Sequence, residues 1–572
     1  MNSILNRPGS FSILILLCSI FGAVGFLGAA SLRISFTIED NGMPLELDAF
    51  CHRNSAGQIY SLNRLDWLAS DFSITAQDGG VFEFQKAISF ISRTGGEQTF
   101  SGLSSEGIRE IAFHLGPDKA TNAKDPSTHP AGSPLNPNIN GLHWSWQEGY
   151  IFMAIEGLWR SDDDQAPEGF VFHYARDKNR MKIVLPVDIE LTEETHVVIA
   201  LSPCRILEHI SFADDGVSTH SSDGDPIVDK MRSALSSAFR VAEIDHGIAP
   251  VVTETIKPID LPANPKPFPV VLPSYVPIPG LPADNPILSS RVHLGEVLFN
   301  DPRLSRTGTL SCSSCHIGHE LSDPRRFSTG VDGLKGNRHA MPLFNLAWKS
   351  RFFWDGRAGS LRELALMPIQ DPLEMDEKLV NVVHKLEADL NYRKLFNAAF
   401  GSGEITPLTI GLAIENFLLT RVSFNSRFDL SVAGLEKLTP EEQRGLELFF
   451  TEFEPRLGKY GADCFHCHGG AHFTDHSFHN NGIAPSDDIG LEAVTGSAAD
   501  RYKFSTPSLR NIAKTSPYMH DGRFSTLDEV IDHYNDSPAS TETLDPNIAK
   551  HRSGLRLSDQ DKSALVAFLK TL

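Results

Sequence analysis

Two short runs carry the most specific chemistry in the chain: Cys312-Ser313-Ser314-Cys315-His316 and Cys464-Phe465-His466-Cys467-His468. A pair of thiols three positions apart, followed at once by an imidazole, lets two sulfurs add to the vinyl groups of a haem while the histidine binds its iron. Two such runs point to two covalently bound haem c groups. Cys312, Cys315 and His316 would hold the first, and Cys464, Cys467 and His468 the second. Zinc is the alternative, but each cluster would then need further thiol or imidazole ligands at tetrahedral spacing. His466 reads as a spacer inside the second run.

The repeat is wider than these motifs. Gly295, Leu298 and Phe299 precede the first run as Gly445, Leu448 and Phe449 precede the second. Downstream, Pro342, Asn345 and Ala347 lead to Trp354-Asp355-Gly356-Arg357, then Leu361 and Glu363; Pro507, Asn511 and Ala513 lead to His520-Asp521-Gly522-Arg523, then Leu527 and Glu529. Two related cytochrome units therefore stand in tandem, and their differences separate their tasks. Tyr534, fourteen residues after His520, can offer a phenol oxygen to the second iron; the corresponding position after Trp354 is Pro368, which has no ligating atom. The first haem is then open on one face and the second closed. The plainer alternative makes Tyr534 a core residue and Pro368 a turn. Glu374 is a candidate acid/base for the open face, because splitting an O–O bond requires moving a proton between its oxygens. Trp354, with its oxidisable indole, is a candidate relay between the haems, against simple packing.

These groups need elements to hold them. The 572 residues exceed one hydrophobic core, and 41% hydrophobic with 22% charged residues is ordinary globular composition. A formal charge of -21 leaves no cationic surplus for phosphates, which argues against nucleic-acid binding. Residues 1–30, with Arg7, an apolar run from Phe11 to Leu27 and then Gly28-Ala29-Ala30, read as an export signal, which places the mature chain in the periplasm. An uncleaved anchor is the alternative; no other membrane insertion is expected. Residues 31–249 alternate apolar and polar positions, as in Leu32, Ile34, Phe36 and Ile38, which predicts an all-β sandwich. Cys51 and Cys204 either pair as a disulfide across it or stay as two thiols. Eleven prolines mark 250–286 as a linker, either extended or packed as a strap over the next domain. Two mainly helical cytochrome domains follow, at 287–435 and 436–572. Thr439, Pro440 and Glu442 open one helix, and Ser558 the terminal one.

The haem half, from about Pro286 to Leu572, resembles the di-haem cytochrome c peroxidase family and, within it, the MauG-like branch. Trp354 to Arg357 with Glu374-Met375 looks like its peroxidatic part, and Pro517-Tyr518-Met519-His520-Asp521-Gly522 like its electron-transfer part. Conventional members have methionine where this chain has Tyr534 and a displaceable histidine near Val331; MauG-like members have tyrosine. Leu364 departs from a commonly occurring glutamine. The resemblance implies reaction with hydrogen peroxide at haem 1, storage of two oxidising equivalents over both haems and Trp354, long-range oxidation of a protein side chain, and a structural calcium between the haem domains.

Asn138-Ile139-Asn140-Gly141-Leu142-His143-Trp144-Ser145-Trp146, with Gly149-Tyr150, His129-Pro130 and Phe172-His173, resembles the MbnP-type copper-binding domain. Such domains accompany MauG-like partners that convert tryptophan to kynurenine; here both would be fused. Imidazoles suit copper, so His129, His143 and His173 are the candidate ligands, with His52 in reserve. Trp67, Trp144 and Trp146 are candidate targets, each also explicable as packing. The resulting expectation is a peroxidase that oxidises a tryptophan of its own N-terminal domain. One rival is a conventional peroxidase drawing electrons from a small cytochrome or cupredoxin. The other is a non-enzymatic electron carrier or copper store.

Overall fold

The computed structural model describes residues 30–246 and 261–572, except 41, 104–106, 131–132, 137–139, 144–148, 193, 484–485, 537 and 552–553. The proposed signal, Trp144 and Trp146 lie outside the described residues.

The alternating N-terminal sequence forms two facing sheets. In Ala30–Asp40, Leu32, Ile34 and Phe36 are buried while their neighbours are only partly covered, so one face of the strand is core. This strand runs parallel to Glu194–Leu201, with Ile34 opposite Val197, and Phe239–His246 continues that sheet. The second sheet orders Met181–Glu190, Gly107–Leu115, Ile59–Ala76, Ile151–Arg160, Glu168–Ala175 and Ser218–Thr219. Aromatic rings fill the space between the sheets: Trp67 meets Phe36 at 6.1 Å and Phe239 at 6.2 Å, both edge-on. Trp67 is thus locked in the sandwich core. Cys51 and Cys204 are not bonded to each other; His52 stands between them, 3.4 Å from Cys51 Sγ and 3.6 Å from Cys204 Sγ.

The haem half is built twice on one plan. Helix Ser289–Phe299 crosses Pro407–Leu419, and Pro440–Phe450 crosses Asp559–Leu569. Thr439 and Glu442 form the capping box expected of the third of these helices, and Ser558 caps the fourth. The crossings explain the repeated glycines. A Cβ on Gly295 would lie 2.0 Å from the Ala413 carbonyl oxygen, and one on Gly445 would lie 2.0 Å from that of Ala564. Only a residue without a side chain allows either backbone approach.

Residues 261–286 pack as a strap rather than hanging free. Trp348 Nε1 donates to Pro277 O at 2.6 Å, and Tyr275 Oη donates to Asp429 Oδ1 at 2.6 Å. Asp429 in turn receives the buried Arg510 guanidinium. Among the described residues, no helix is long and apolar enough to cross a membrane.

Replacing Gly295 or Gly445 by alanine should cost about 1–3 kcal/mol, the range for overpacking a closed contact. Denaturant unfolding of the haem-loaded protein checks it; unchanged midpoints for both variants would show that the crossings have slack.

Candidate functional site

The first haem-attachment run forms a tight turn at Cys312–Ser314 that presents both thiols and His316 to one cavity. His316 Nδ1 lies 3.1 Å from the Leu321 carbonyl, so that nitrogen carries the proton and Nε2 is left for iron. Burial pushes the His316 pKa down to about 4, keeping the imidazole in its ligating, neutral form. Trp354, Leu364, Pro368 and Glu374 line the same cavity. Pro368 sits inside helix Leu361–Gln370 and presents no donor there. Burial, with the Asp371 charge nearby, pushes the Glu374 carboxyl up to about 7. It is therefore poised to exchange a proton near neutrality. Val331 donates its N–H to Glu374 O, which fastens its loop to the Glu374 segment.

The second run repeats the arrangement. His468 Nδ1 is 3.1 Å from Phe473 O, again five residues on, and Leu321 and Phe473 both hold positive φ at this bend. Tyr534 lies on helix Leu527–Asn535, the counterpart of the helix holding Pro368. Burial raises its pKa, and the Cys464 and Cys467 sulfurs are electrostatic neighbours of its phenol. Asn481 Nδ2 donates to Tyr534 Oη at 3.3 Å, fixing the ring. The thiol pairs and oriented imidazoles fit two covalent haems, and the first pair opens on a cavity that could hold one. His316 and His468 would be their protein ligands, and Tyr534 would be a candidate second ligand of the second.

The two units lock together by a reciprocal pair of backbone bonds. His339, fifteen residues before Trp354, donates its N–H to His520 O at 2.8 Å; Ser505, fifteen before His520, donates to Trp354 O at 2.8 Å. Trp354 Nε1 donates to His339 O at 2.7 Å, which pins the indole at the junction. Its counterpart His520 stacks on Phe504, with centroids 3.6 Å apart. Arg338 reinforces the seam by bridging Asp355 at 2.6 Å and Asp488 at 2.7 Å.

The candidate copper histidines do not gather at one point. His129 and His143 both flank the Tyr150 ring, at 6.4 and 4.7 Å. His173 turns toward His220 and His466, with ring centroids 4.8 and 5.6 Å away. A cavity of about 790 Å³ separates the sandwich from the second haem domain. Arg64, His143 and His173 wall it on one side; Phe465, His466, Gly469 and His472 wall it on the other. Beneath it, Glu156 accepts from Arg64 at 3.0 Å, from Asn547 of the haem domain at 3.1 Å, and pairs with His173 Nε2 at 3.0 Å. Burial alone would raise the Glu156 pKa, but Arg64 and His173 hold it well below the usual carboxylate range. Burial also lowers His173 to about 3 and His143 to about 4. Sequence reasoning missed His220, His466 and Glu156. His220 had no motif to mark it, His466 sat at a position of the haem motif that any residue can fill, and an acid on a strand looks like any solvent-facing residue until the haem domain covers it.

The di-haem cytochrome c peroxidase family profile matches residues 289–437, and the MbnP profile matches residues 29–221. Over 298 residues the chain is 39% identical to the methylamine utilization protein MauG of Methylorubrum extorquens, covering 51% of this chain and 80% of that protein. The chain belongs to the di-haem cytochrome c peroxidase family. The cytochrome c551 peroxidase of Nitrosomonas europaea is 33% identical over 310 residues, covering 53% of this chain and 85% of that one. Among solved structures, a MauG-like protein associated with microbial copper homeostasis is 38% identical, spanning 53% of this chain and 95% of that chain with a TM-score of 0.48. As a family member the protein is an oxidoreductase of the di-haem peroxidase type with two haem c groups, and it carries an MbnP-like β domain ahead of them.

Replacing Glu156 by alanine should destabilise the haem-loaded member by roughly 3–5 kcal/mol, because buried cationic and polar partners lose their carboxylate. The carboxylate's contribution should be full at neutral pH and fade as pH falls below the ordinary value of 4.5 toward its depressed one. Urea unfolding at pH 7 and pH 4 checks both; equal loss at the two pH values would refute the charge-based account.

Proposed function

We propose that the protein reacts with hydrogen peroxide at the first haem and directs the oxidising equivalents of successive peroxides to a tryptophan of its own N-terminal domain, forming kynurenine as the indole C2 leaves as formate and peroxide is reduced to water. One observation carries the reading: His143, which directly precedes Trp144, lines the same cavity as Phe465 and His466 of the second haem-attachment run. His143 of the β domain and two residues of the second haem-attachment run thus wall one cavity within a single chain. A redox donor from another protein has no role in this scheme. A conventional peroxidase using a small cytochrome or cupredoxin is the rival, and Tyr534 in place of methionine weighs against it.

When bound, the haems supply peroxide activation and one-electron transfer. The chain's own residues do the remainder. Glu374, half-protonated near pH 7, takes the proton from the near peroxide oxygen and returns it to the far one. Leu364 and Pro368 keep the cavity free of competing ligands. Trp354, held by His339 O at the seam between the two units, bridges them as a relay. Tyr534, oriented by Asn481, would help hold the second haem and would leave it less open to peroxide. We further propose copper on the N-terminal domain through His129 and His143, a structural calcium between the haem domains, and a periplasmic location.

Intact and peptide mass spectrometry of the holoprotein before and after peroxide tests the reading. Two haem masses and one tryptophan gaining the mass of kynurenine are expected. Two haems with every tryptophan unaltered would overturn self-oxidation and leave the conventional peroxidase. Stopped-flow absorbance gives a second check: the peroxide rate should rise with pH through about 7. Glu374→Gln should remove that dependence and lower the rate about 10²-fold or more. A retained pH profile in this variant would exclude Glu374 as the base.

A further inference from the structure

We infer that His173, His220 and His466 form a metal site that joins the β domain to the second haem domain. One ligating atom from each lies within 4.8 Å of the others, and all three side chains are buried. Their origins are independent: His173 is on strand Glu168–Ala175, His220 follows strand Ser218–Thr219, and His466 is the middle residue of the second haem-attachment run.

The surroundings have the form of a metal centre's outer shell. Each ring lies against a different carboxylate: His173 Nε2 on Glu156 at 3.0 Å and His220 Nδ1 on Glu452 at 2.7 Å, while His466 Nε2 stands 3.0 Å from Asp463 as an ion-pair neighbour without hydrogen-bond alignment. Histidine ligands are commonly oriented in this way, with a carboxylate fixing the tautomer and the ring angle. The carboxylates are themselves held, Glu156 by Arg64 and Asn547 and Asp463 by Lys550 at 2.7 Å. Three buried imidazoles clustered within 5.6 Å of one another, one pair edge to face and two pairs tilted, give a core little in packing that a hydrocarbon would not give better. Three imidazole nitrogens about 2.0–2.1 Å from one ion stand roughly 3.3 Å apart. Ring movements of about an ångström close the observed arrangement to that geometry.

Three imidazoles with carboxylates only in the outer shell suit a late first-row ion, copper or zinc, rather than magnesium or calcium. The site would clamp the β domain to the haem domain. It would also set the ion two residues from the haem ligand His468. It is distinct from His129 and His143, and it does not depend on the reaction with peroxide.

The test is metal retention by the full-length di-haem protein, without peroxide. Protein stripped with a chelator is loaded separately with Cu(II) and with Zn(II), desalted, and assayed for metal, with haem content measured in parallel. Wild type should retain one more equivalent than His220→Gln or His466→Gln; the latter leaves both cysteines and His468 in place. The arm that retains metal names the ion. Pulsed EPR of the copper-loaded wild type should count three imidazoles. Equal metal in wild type and both variants at full haem content would overturn the site. Retention of neither ion, or fewer than three imidazoles in the wild type, would do the same and would stand even if the variants failed to fold.

Discussion

The carboxylate of Glu156 is the point on which the assembly turns. It sits beneath a β domain and a haem domain that cover it together, and its partners come from both: Arg64 and His173 on one side, Asn547 on the other. A charge taken out of water at a cost of several kcal/mol is tolerable only where such partners are in place. The docked arrangement is therefore selected over a merely tethered one. Shape complementarity acts in the same direction, since a Cβ on Gly169 would lie 1.9 Å from the Pro546 carbonyl oxygen. The haem domain presses its backbone directly onto the sheet.

That docking gives the cavity its meaning. Without it, His143 and the second haem-attachment run would be surface features of separate domains. With it, they wall one cavity between the β domain and the second haem domain. The strap formed by residues 261–286 is itself tied to the haem half, by a buried bond from Trp348 and a partly buried one from Tyr275.

Within the haem half, duplication supplies symmetry and substitution breaks it. The glycine crossings, the His-to-carbonyl bonds five residues on, and the reciprocal bonds of His339 and Ser505 are all present in pairs. The two units differ at few positions: Pro368 against Tyr534, Trp354 against His520, and Glu374 with no marked counterpart. On the proposed reading, these substitutions give one scaffold two unlike haem environments.

The sequence by itself determined what is local and covalent. Cysteine and histidine spacing specifies haem attachment, period-two alternation specifies the strands, and Thr439 and Ser558 specify helix starts, because each signal is complete within a few residues. Tertiary structure alone decided what depends on distant surfaces meeting. His466 reads as a spacer until His173 and His220 are brought beside it, and His173 separates from His129 and His143 although all three belong to one recognisable stretch. The proline-rich segment could equally have been a free linker. The thiols of Cys51 and Cys204 converge but receive His52 between them instead of each other. In each case the deciding quantity is a distance across the fold, set by how the sheets and helices pack, and no pattern along the chain encodes it.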